Sequence, residues 1–467
     1  MQEYDVTVIG AGPGGYVAAI RAAQRGAKVA LIERELLGGT CLNWGCIPTK
    51  TLIAAAEVLT QARHASEFGV HISGEITADW PAMLARKEKI VGTLRQGIAS
   101  LMKSNGIEVI PGTGAFVSRS EIEVTAADGA RNRIATKSTI IASGSETIMP
   151  KFVPRADNIL YSRSALEQPR LPESLIVLGA GVIGCEFACL YARLGSKVTL
   201  VEMLPEVLPM VDPDVARVVR ANMEKLGVRV MTGATMSDIK ADGRSVTCSA
   251  NGETLAAECL LVCVGRRALS ETVNAGAARI PLNDKGLIEV DDRCRTPVPG
   301  IYAIGDVAGT LQYAHRASAM GIVAANNATG KPDRHSDALV PGCIFTAPEI
   351  GTVGLTEAQA REKVPAIKVG KFFFSALGRA MVINEARGFC KIVADGATDQ
   401  VLGVHIVGPH ATDLIAEAAT AMRLEITAAE LGNAIHAHPT LAEAMMEAAH
   451  AVHDECIHLP PRHRKSG

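Results

Sequence analysis

The stretch YDVTVIGAGPGGYVAAIRAAQRGAKVALIE, Tyr4 to Glu33, is an apolar run, a Gly-x-Gly-x-x-Gly turn, an alanine-rich segment ending at a glycine, and a second apolar run closing on an acid. The plan returns in SLIVLGAGVIGCEFACLYARLGSKVTLVE, Ser174 to Glu202. From Gly10 to Glu33 and from Gly179 to Glu202 the span is the same 23 residues. A glycine pattern alone is weak evidence. With a strand before it, a helix after it and an acid at the end, it predicts a strand–turn–helix–strand unit that binds a dinucleotide. Gly10 and Gly179 make the tight turn, Gly12 and Gly181 let a pyrophosphate approach the backbone, and Gly15 and Gly184 let helix and strand pack closely. Glu33 and Glu202 are placed to accept hydrogen bonds from a ribose, while the helix N-terminus favours the phosphate charge. Two dinucleotide sites in one chain imply that electrons pass between them. A carboxylate at Glu202 repels a 2′-phosphate, and Met203, Leu204 and Pro205 follow it instead of arginines, so the second site is expected to prefer NAD over NADP.

Composition sets the outer bounds. At 467 residues the chain exceeds one ordinary core, and three or four domains or subdomains are expected. A net charge of −2 offers no electrostatic basis for binding nucleic acid or membrane. No apolar run reaches the roughly 18–20 residues that span a bilayer. The opening MQEYDVTVIG enters a strand at once, without a basic or Arg-rich leader, which favours a cytoplasmic protein or an already trimmed one.

Between and after the repeats the pattern changes. Helix formers fill Ala54 to Asn105 and are expected to cover the first sheet; a short polar β stretch follows from Phe116 to Thr136. KSTIIASGSE (Lys137 to Glu146) and ECLLVCVGRR (Glu258 to Arg267) read as buried strands leading out of the two nucleotide units. TPVPGIYAIGDVAG (Thr296 to Gly309) reads as a buried strand whose exit presents Asp306. From about Pro341, β segments and then amphipathic helices form a separate domain, and the tail PPRHRKSG is expected to be a solvated end. The expected division is residues 1–149 and 150–270 for the two nucleotide domains, 271–340 for a segment returning to the first, and 341–467 for an interface domain.

The stretch GGTCLNWGCIPTK, Gly38 to Lys50, sets Cys41 and Cys46 apart from the other nine cysteines. Cys185, Cys189, Cys259, Cys263 and Cys390 have apolar or small neighbours and read as small buried hydrophobes. Zinc needs about four ligands, which this stretch does not supply, and no metal site is expected. Pro48 and the alanines beyond it predict a helix starting close to Cys46, whose positive end, with Lys50, favours a thiolate. A redox pair is therefore favoured, with structural or free thiols as the alternative.

With those residues in view, the chain resembles the flavoprotein pyridine nucleotide–disulfide oxidoreductases over nearly its whole length. The likeness rests on the Gly10–Gly15 turn with Glu33, on GGTCLNWGCIPTK, GAGVIGCE, VGRR and TPVPGIYAIGD, and on HAHPTLAE (His436 to Glu443). It implies an α/β fold with two Rossmann-like dinucleotide-binding domains, for FAD and NAD, and an α+β C-terminal dimerisation domain. By the same resemblance Cys41 is the thiol that exchanges with substrate sulfur and Cys46 the one beside the flavin. Lys50 lies near the flavin ring and pairs with Glu186. Asp306 holds the ribityl chain, with Ala314 and His315 beside the ring. Gly14, Gly39, Thr40, Gly114, Ser143, Gly144 and Ser145 are further FAD contacts, and Gly265 an NAD contact. QYAH (Gln312 to His315) and Ala142-Ser143-Gly144 depart from the commoner family residues and leave local contacts open.

A lone histidine is more often structural, and the chain has 12. His438 differs because it precedes Pro439, a favoured first residue of a helix, and because Glu443 follows at a spacing that lets a carboxylate orient an imidazole. His436 reads as a structural neighbour. Leu441, Ala444, Met445, Ala448, Ala449 and Val452 recur at helical spacing, a core-facing stripe that the resemblance turns into part of a dimer interface. The family's lipoamide branch fits best, since Pro48-Thr49-Lys50 and the His-Ala-His-Pro-Thr motif agree. That branch implies a homodimer oxidising dihydrolipoyl groups with NAD. The groups would be presented by acyltransferase subunits of 2-oxoacid dehydrogenase complexes or by the glycine cleavage carrier. An NADPH-dependent reductase of a small disulfide, of the glutathione or mercuric type, is the rival within the family. A flavin-binding redox sensor or scaffold is the rival outside it.

Overall fold

The computed structural model describes residues 1–460; the tail beyond Pro460 lies outside the described residues. The chain divides into two compact units: Met1–Pro150 with Tyr161–Arg170 and Val264–Asp337, and Lys151–Leu160 with Leu171–Cys263 and the chain from Ala338 onward.

In the first unit, the strand Gln2–Ile9 lies parallel between Val29–Glu33 and Arg131–Ile141, with Glu108–Pro111 at the far side of Val29–Glu33. Its register pairs Val6 with Val29 and Val8 with Leu31. These are near-continuous apolar runs, as a sheet covered on both faces requires. The returning strand Ile301–Ala303 pairs with Arg131–Ile141. The polar β stretch holds the strands Thr113–Ser118 and Glu121–Thr125, and its end is continuous with the buried strand expected after it in one element of 11 residues, Arg131–Ile141. Its first half pairs antiparallel with Glu121–Thr125 while its second half joins the parallel sheet. Helix Pro13–Gln24 packs on Ala314–Ala328 where Gly14 and Gly321 leave room: a Cβ on Gly321 would sit 2.5 Å from the Gly14 carbonyl. Two long helices, Cys46–Arg63 and Trp80–Ser104, fill the region of helix formers.

In the second unit, Ser174–Leu178 lies parallel between Lys197–Val201 and Cys259–Val262, with Arg229–Met231 and Ile159–Leu160 outermost. Antiparallel strands Met236–Ala241, Val246–Ala250 and Glu253–Ala257 form a small separate sheet. From Gly342 a five-stranded antiparallel sheet begins, in the order Gly342–Ile344, Glu349–Gly354, Val401–Gly408, Phe389–Asp395 and Ile367–Phe373. Helices Ala411–Arg423 and Glu443–Ala451 pack on it, and Ala444, Met445, Ala448, Ala449 and Val452 bury their stripe in this domain's own core with Phe372, Phe374 and Ile406.

Candidate functional site

The two dinucleotide turns share one geometry. Gly10 and Gly179 hold left-handed φ values of 101° and 102°, and Cβ atoms on Gly15 and Gly184 would meet the Gly10 and Gly179 carbonyl oxygens at 1.8 and 1.9 Å. Only glycine permits that approach. Gly12 and Gly181 cap the helices Pro13–Gln24 and Val182–Leu194 and face open space. Each terminal acid is tied back to its turn. Glu33 accepts hydrogen bonds from the Ala11 and Glu35 N–H groups at 2.7 and 2.8 Å, and Glu202 from Ala180 and Leu204 at 2.6 and 2.8 Å. A carboxylate oxygen has a second lone pair, so each acid still has capacity for a ribose hydroxyl. In the first unit Ser143 Oγ is buried with no hydrogen-bond partner among the described residues, beside the open Gly144 and the Gly10 turn. An open glycine cradle and an unpartnered hydroxyl fit a dinucleotide there, as Gly181 and Glu202 do in the second unit.

Beside the first turn lies the cysteine pair. Gly38 donates its N–H to the Ala11 carbonyl at 2.9 Å, and a Cβ on Gly39 would come 2.7 Å from the Gly12 Cα. The short helix Gly39–Trp44 is thereby set against the turn, with Thr40 exposed on it. Cys41 on this helix and Cys46, first residue of Cys46–Arg63, are joined in a disulfide with Cα atoms 4.7 Å apart. The helix start expected near Cys46 falls on that residue. Asn43 steadies the segment by donating to the Leu37 and Gly39 carbonyls, and Arg163 lies over the Trp44 ring at 3.8 Å. Lys50 sits in the first turns of the same helix.

Two arginines not singled out from the sequence complete this unit. Asp306 accepts from the Ser145 hydroxyl at 2.5 Å, and Ser145 Oγ accepts from Arg266 Nε at 2.8 Å. Burial holds the Arg266 guanidinium below its ordinary range, offset in part by Asp306 and Glu146. Arg316, buried, makes a bidentate pair with Asp337 and donates to the Gly305 and Leu311 carbonyls, pinning the segment around Asp306. A single charge inside the otherwise small-residue helix Ala314–Ala328 was the available signal. Tyr313 and His315 stack at 5.3 Å ahead of it, next to Ala314. Gly114 packs on Ile32, and Gly265, at φ 121°, accepts from the Ile148 N–H.

In the second unit Glu186 is buried on helix Val182–Leu194 and accepts the Phe345 N–H at 2.9 Å. His438 Nδ1 lies 2.8 Å from Glu443 Oε1, and the other oxygen of that carboxylate accepts the Thr440 N–H at 2.8 Å. Burial raises the Glu443 carboxyl, but the His438 and Thr440 hydrogen bonds outweigh it and hold it below the usual range. Pro439 does not open a helix; the helix begins at Glu443, and residues 438–442 form a bend that brings ring and carboxylate together. His436 also has a carboxylate partner, Glu417 at 2.8 Å, yet its other nitrogen meets the Ala434 carbonyl and its side chain is 7% exposed. His438 is 78% exposed at the side chain, with Nε2 turned away from its carboxylate. Of the two, His438 has the nitrogen available for proton transfer.

Among the remaining cysteines, Cys185, Cys189, Cys259 and Cys390 are buried and Cys263 partly so. Burial pushes the Cys189 thiol up to about 11 and Cys263 to about 12, far from thiolate chemistry. No group of three or more potential metal ligands occurs among the described residues, and no helix among them is long and apolar enough to cross a membrane.

Known proteins share this arrangement along the whole chain. A dihydrolipoyl dehydrogenase of Chlamydia muridarum is 42% identical over 463 residues, covering 98% of this chain and 99% of that protein. One of Thermus scotoductus is 43% identical over 466 residues with the same coverage. Among solved structures, LpdA from Mycobacterium tuberculosis superposes with a TM-score of 0.89 at 30% identity, covering 96% of this chain and 99% of that one. The HOCl-induced flavoprotein disulfide reductase RclA from Escherichia coli gives 0.86 at 29%, with the same coverage. Residues 4–321 match the pyridine nucleotide-disulphide oxidoreductase family, and residues 340–449 its dimerisation domain. The chain belongs to the pyridine nucleotide-disulphide oxidoreductase family.

Proposed function

We propose that this protein is an NAD-dependent dihydrolipoyl dehydrogenase. The disulfide between Cys41 and Cys46, closed beside a dinucleotide turn, carries the reading. FAD, when bound, moves two electrons between the Cys41–Cys46 pair and a nicotinamide. Gly10, Gly12, Gly14, Gly15, Glu33, Gly39, Thr40, Lys50, Gly114, Ser143, Gly144, Ser145, Asp306, Ala314 and His315 would hold FAD. Gly179, Gly181, Gly184, Glu202 and Gly265 would hold NAD.

The chain's own residues perform the sulfur chemistry. His438 Nε2, in the tautomer fixed by Glu443, takes the proton of one substrate thiol. The resulting thiolate attacks Cys41 Sγ, the Cys41–Cys46 bond breaks, and Cys46 leaves as a thiolate stabilised by its helix N-terminus and by Lys50. Once that first proton has passed to solvent, His438 takes the proton of the second substrate thiol, and the resulting thiolate attacks the mixed disulfide. Lipoyl disulfide closes, and Cys41 departs and receives the proton from His438. The substrate has lost two electrons and the cysteine pair has gained them.

The working assembly is a homodimer, the arrangement for which residues 340–449 match a dimerisation domain, with the partner's His438 serving the cysteines of the other chain. The division into residues 1–149, 150–270, 271–340 and 341–467 for FAD, NAD, return segment and interface is part of this reading. It is supported by the return strand Ile301–Ala303 joining the first sheet. The lipoyl group would come from acyltransferase subunits of 2-oxoacid dehydrogenase complexes or from a glycine cleavage carrier. A cytoplasmic setting accords with nine cysteines that stay outside any disulfide.

Steady-state turnover with dihydrolipoamide and NAD tests the proposal against NADPH with glutathione disulfide. Dihydrolipoamide with NAD should be the productive pair. Cys41→Ser and Cys46→Ser should each abolish turnover, and full activity in either variant would overturn the assignment.

A further inference from the structure

The helix Glu443–Ala451 carries two glutamates four residues apart, on one face, where like charges ordinarily repel. Each instead meets a histidine through Nδ1. Glu443 holds His438, and Glu447, one turn later, holds His458 Nδ1 at 2.5 Å. Glu447 is 2% exposed, an expensive place for a carboxylate. It is satisfied by three donors from the segment after the helix: the Cys456 thiol at 2.9 Å, the Ile457 N–H at 3.1 Å and the His458 ring. Burial raises the Glu447 carboxyl, and these bonds more than compensate, leaving it below the ordinary range. Cys456 is pushed up to about 12 by burial and by Glu447, so it serves as a donor and not as a nucleophile. The His458 side chain remains 66% exposed among the described residues. Its charge reaches Glu443, where it favours the ionised carboxylate.

We propose that His458, clasped by the buried Glu447 one helical turn from the His438–Glu443 pair, is a positioning residue for that base and sets the charge against which His438 gains and loses its proton. This rests on the reading of His438 as the base. The titratable groups on this helix and the segments flanking it are Glu443, Glu447 and His450 on the helix, Cys456 and His458 after it, and the His436–Glu417 pair before it, with Glu443 in contact with His438. The His458 ring, 2.5 Å from the carboxylate, offsets the Glu447 charge. Without it the buried carboxylate keeps only the neutral Cys456 and Ile457 donors, its charge one helical turn from Glu443 favours the imidazolium, and the base is delayed to higher pH.

The test is the pH profile of kcat/KM for dihydrolipoamide in the FAD-loaded, full-length enzyme. His458→Gln should move the acid limb upward by about half a pH unit, the size of one unit-charge interaction across several ångströms of solvated surface. His458→Arg, which keeps a cation, should leave the limb in place. His458→Gln combined with Glu447→Gln should bring it back, since both charges are then gone. An unmoved limb in a His458→Gln enzyme with wild-type Tm and flavin content would overturn the proposal. So would a double variant shifted further than the single one, the result of a purely structural clasp. His438→Gln separates the two layers. If it is inactive while His458→Gln is unchanged, only the positioning inference falls, whereas a fully active His438→Gln enzyme overturns the base assignment with it.

Discussion

His436 and His438 are two residues apart, carry the same ring and each touch a glutamate, yet they are not equivalent. His436 spends both nitrogens inside the protein, whereas His438 spends one. Replacing His438 by Gln should lower kcat for dihydrolipoamide oxidation by about 10²- to 10⁴-fold, the usual span for a general base. Flavin content and Tm should be unchanged, because the ring is exposed. The comparable His436→Gln change should instead appear as lost stability, of about 1–3 kcal/mol for a buried hydrogen-bonded group, with kcat retained. Stopped kinetics and thermal melts on the two variants check both outcomes. The motif HAHPTLAE singles out His438 and Glu443 as a pair, but which histidine has a free nitrogen depends on Glu417, 19 residues before His436 on another helix. No local spacing reports that.

At the scale of elements, the two strand–turn–helix units were legible because their glycines answer to local sterics. The structure separates two kinds of glycine that look alike in sequence. Gly184 leaves no room, since a Cβ would meet a carbonyl oxygen at 1.9 Å, whereas Gly195 at the end of the same helix has φ 108° and nothing within 4 Å. Gly184→Ala should therefore displace helix from strand. A loss of about 1–3 kcal/mol in stability from overpacking and at least a tenfold rise in the KM for NAD are expected. Gly195→Ala should cost about 1 kcal/mol of backbone strain and leave the KM for NAD alone. Chemical denaturation and NAD titration of the two variants distinguish the cases. Helix ends were less legible. Pro439 reads as a helix start, yet the helix waits until Glu443, because the bend at 438–442 is what lets the Glu443 carboxylate reach both the imidazole and the Thr440 N–H.

Across the whole molecule, buried charge governs the response to acid. Lys391, nearly inaccessible, is hydrogen-bonded to Asp212 at 3.0 Å and ion-paired with Asp214 at 3.2 Å and Glu357 at 2.7 Å. Burial alone would lower its pKa, but the Glu357 and Asp212 bonds raise it instead. Burial raises the Asp214 carboxyl, and Lys371 and Lys391 more than reverse this, holding it well below the usual range. Beside this group, across the strand pair, His405 is buried with Nε2 against the Leu355 carbonyl, and burial holds its pKa below the usual value. The unfolded chain thus binds a proton at His405 that the folded chain refuses. Stability falls as pH drops below about 6.5. The depressed carboxylates act later: their contribution is present above about pH 4 and is lost as pH falls through their lower folded values. Tm measured against pH should decline in two stages, and His405→Gln should flatten the upper stage while leaving the lower one. A wild-type slope between pH 6.5 and 5 in that variant would refute the assignment.

By itself the sequence determined whatever depends on neighbours within about 30 residues: the paired nucleotide units, the spacing from turn to acid, the cysteine pair at a helix start and the candidate base with its carboxylate. These follow from backbone sterics, helix electrostatics and short-range hydrogen bonding, all local. Only the tertiary structure decided which polar groups would be buried together. Asp306, Ser145 and Arg266 are joined across 161 positions of chain, Lys391 meets Asp212 across 179, and Glu447 holds a segment that folds back past the end of its helix. Such partners are chosen by the cost of leaving a buried charge unpaired, and that cost arises only once the layers have packed.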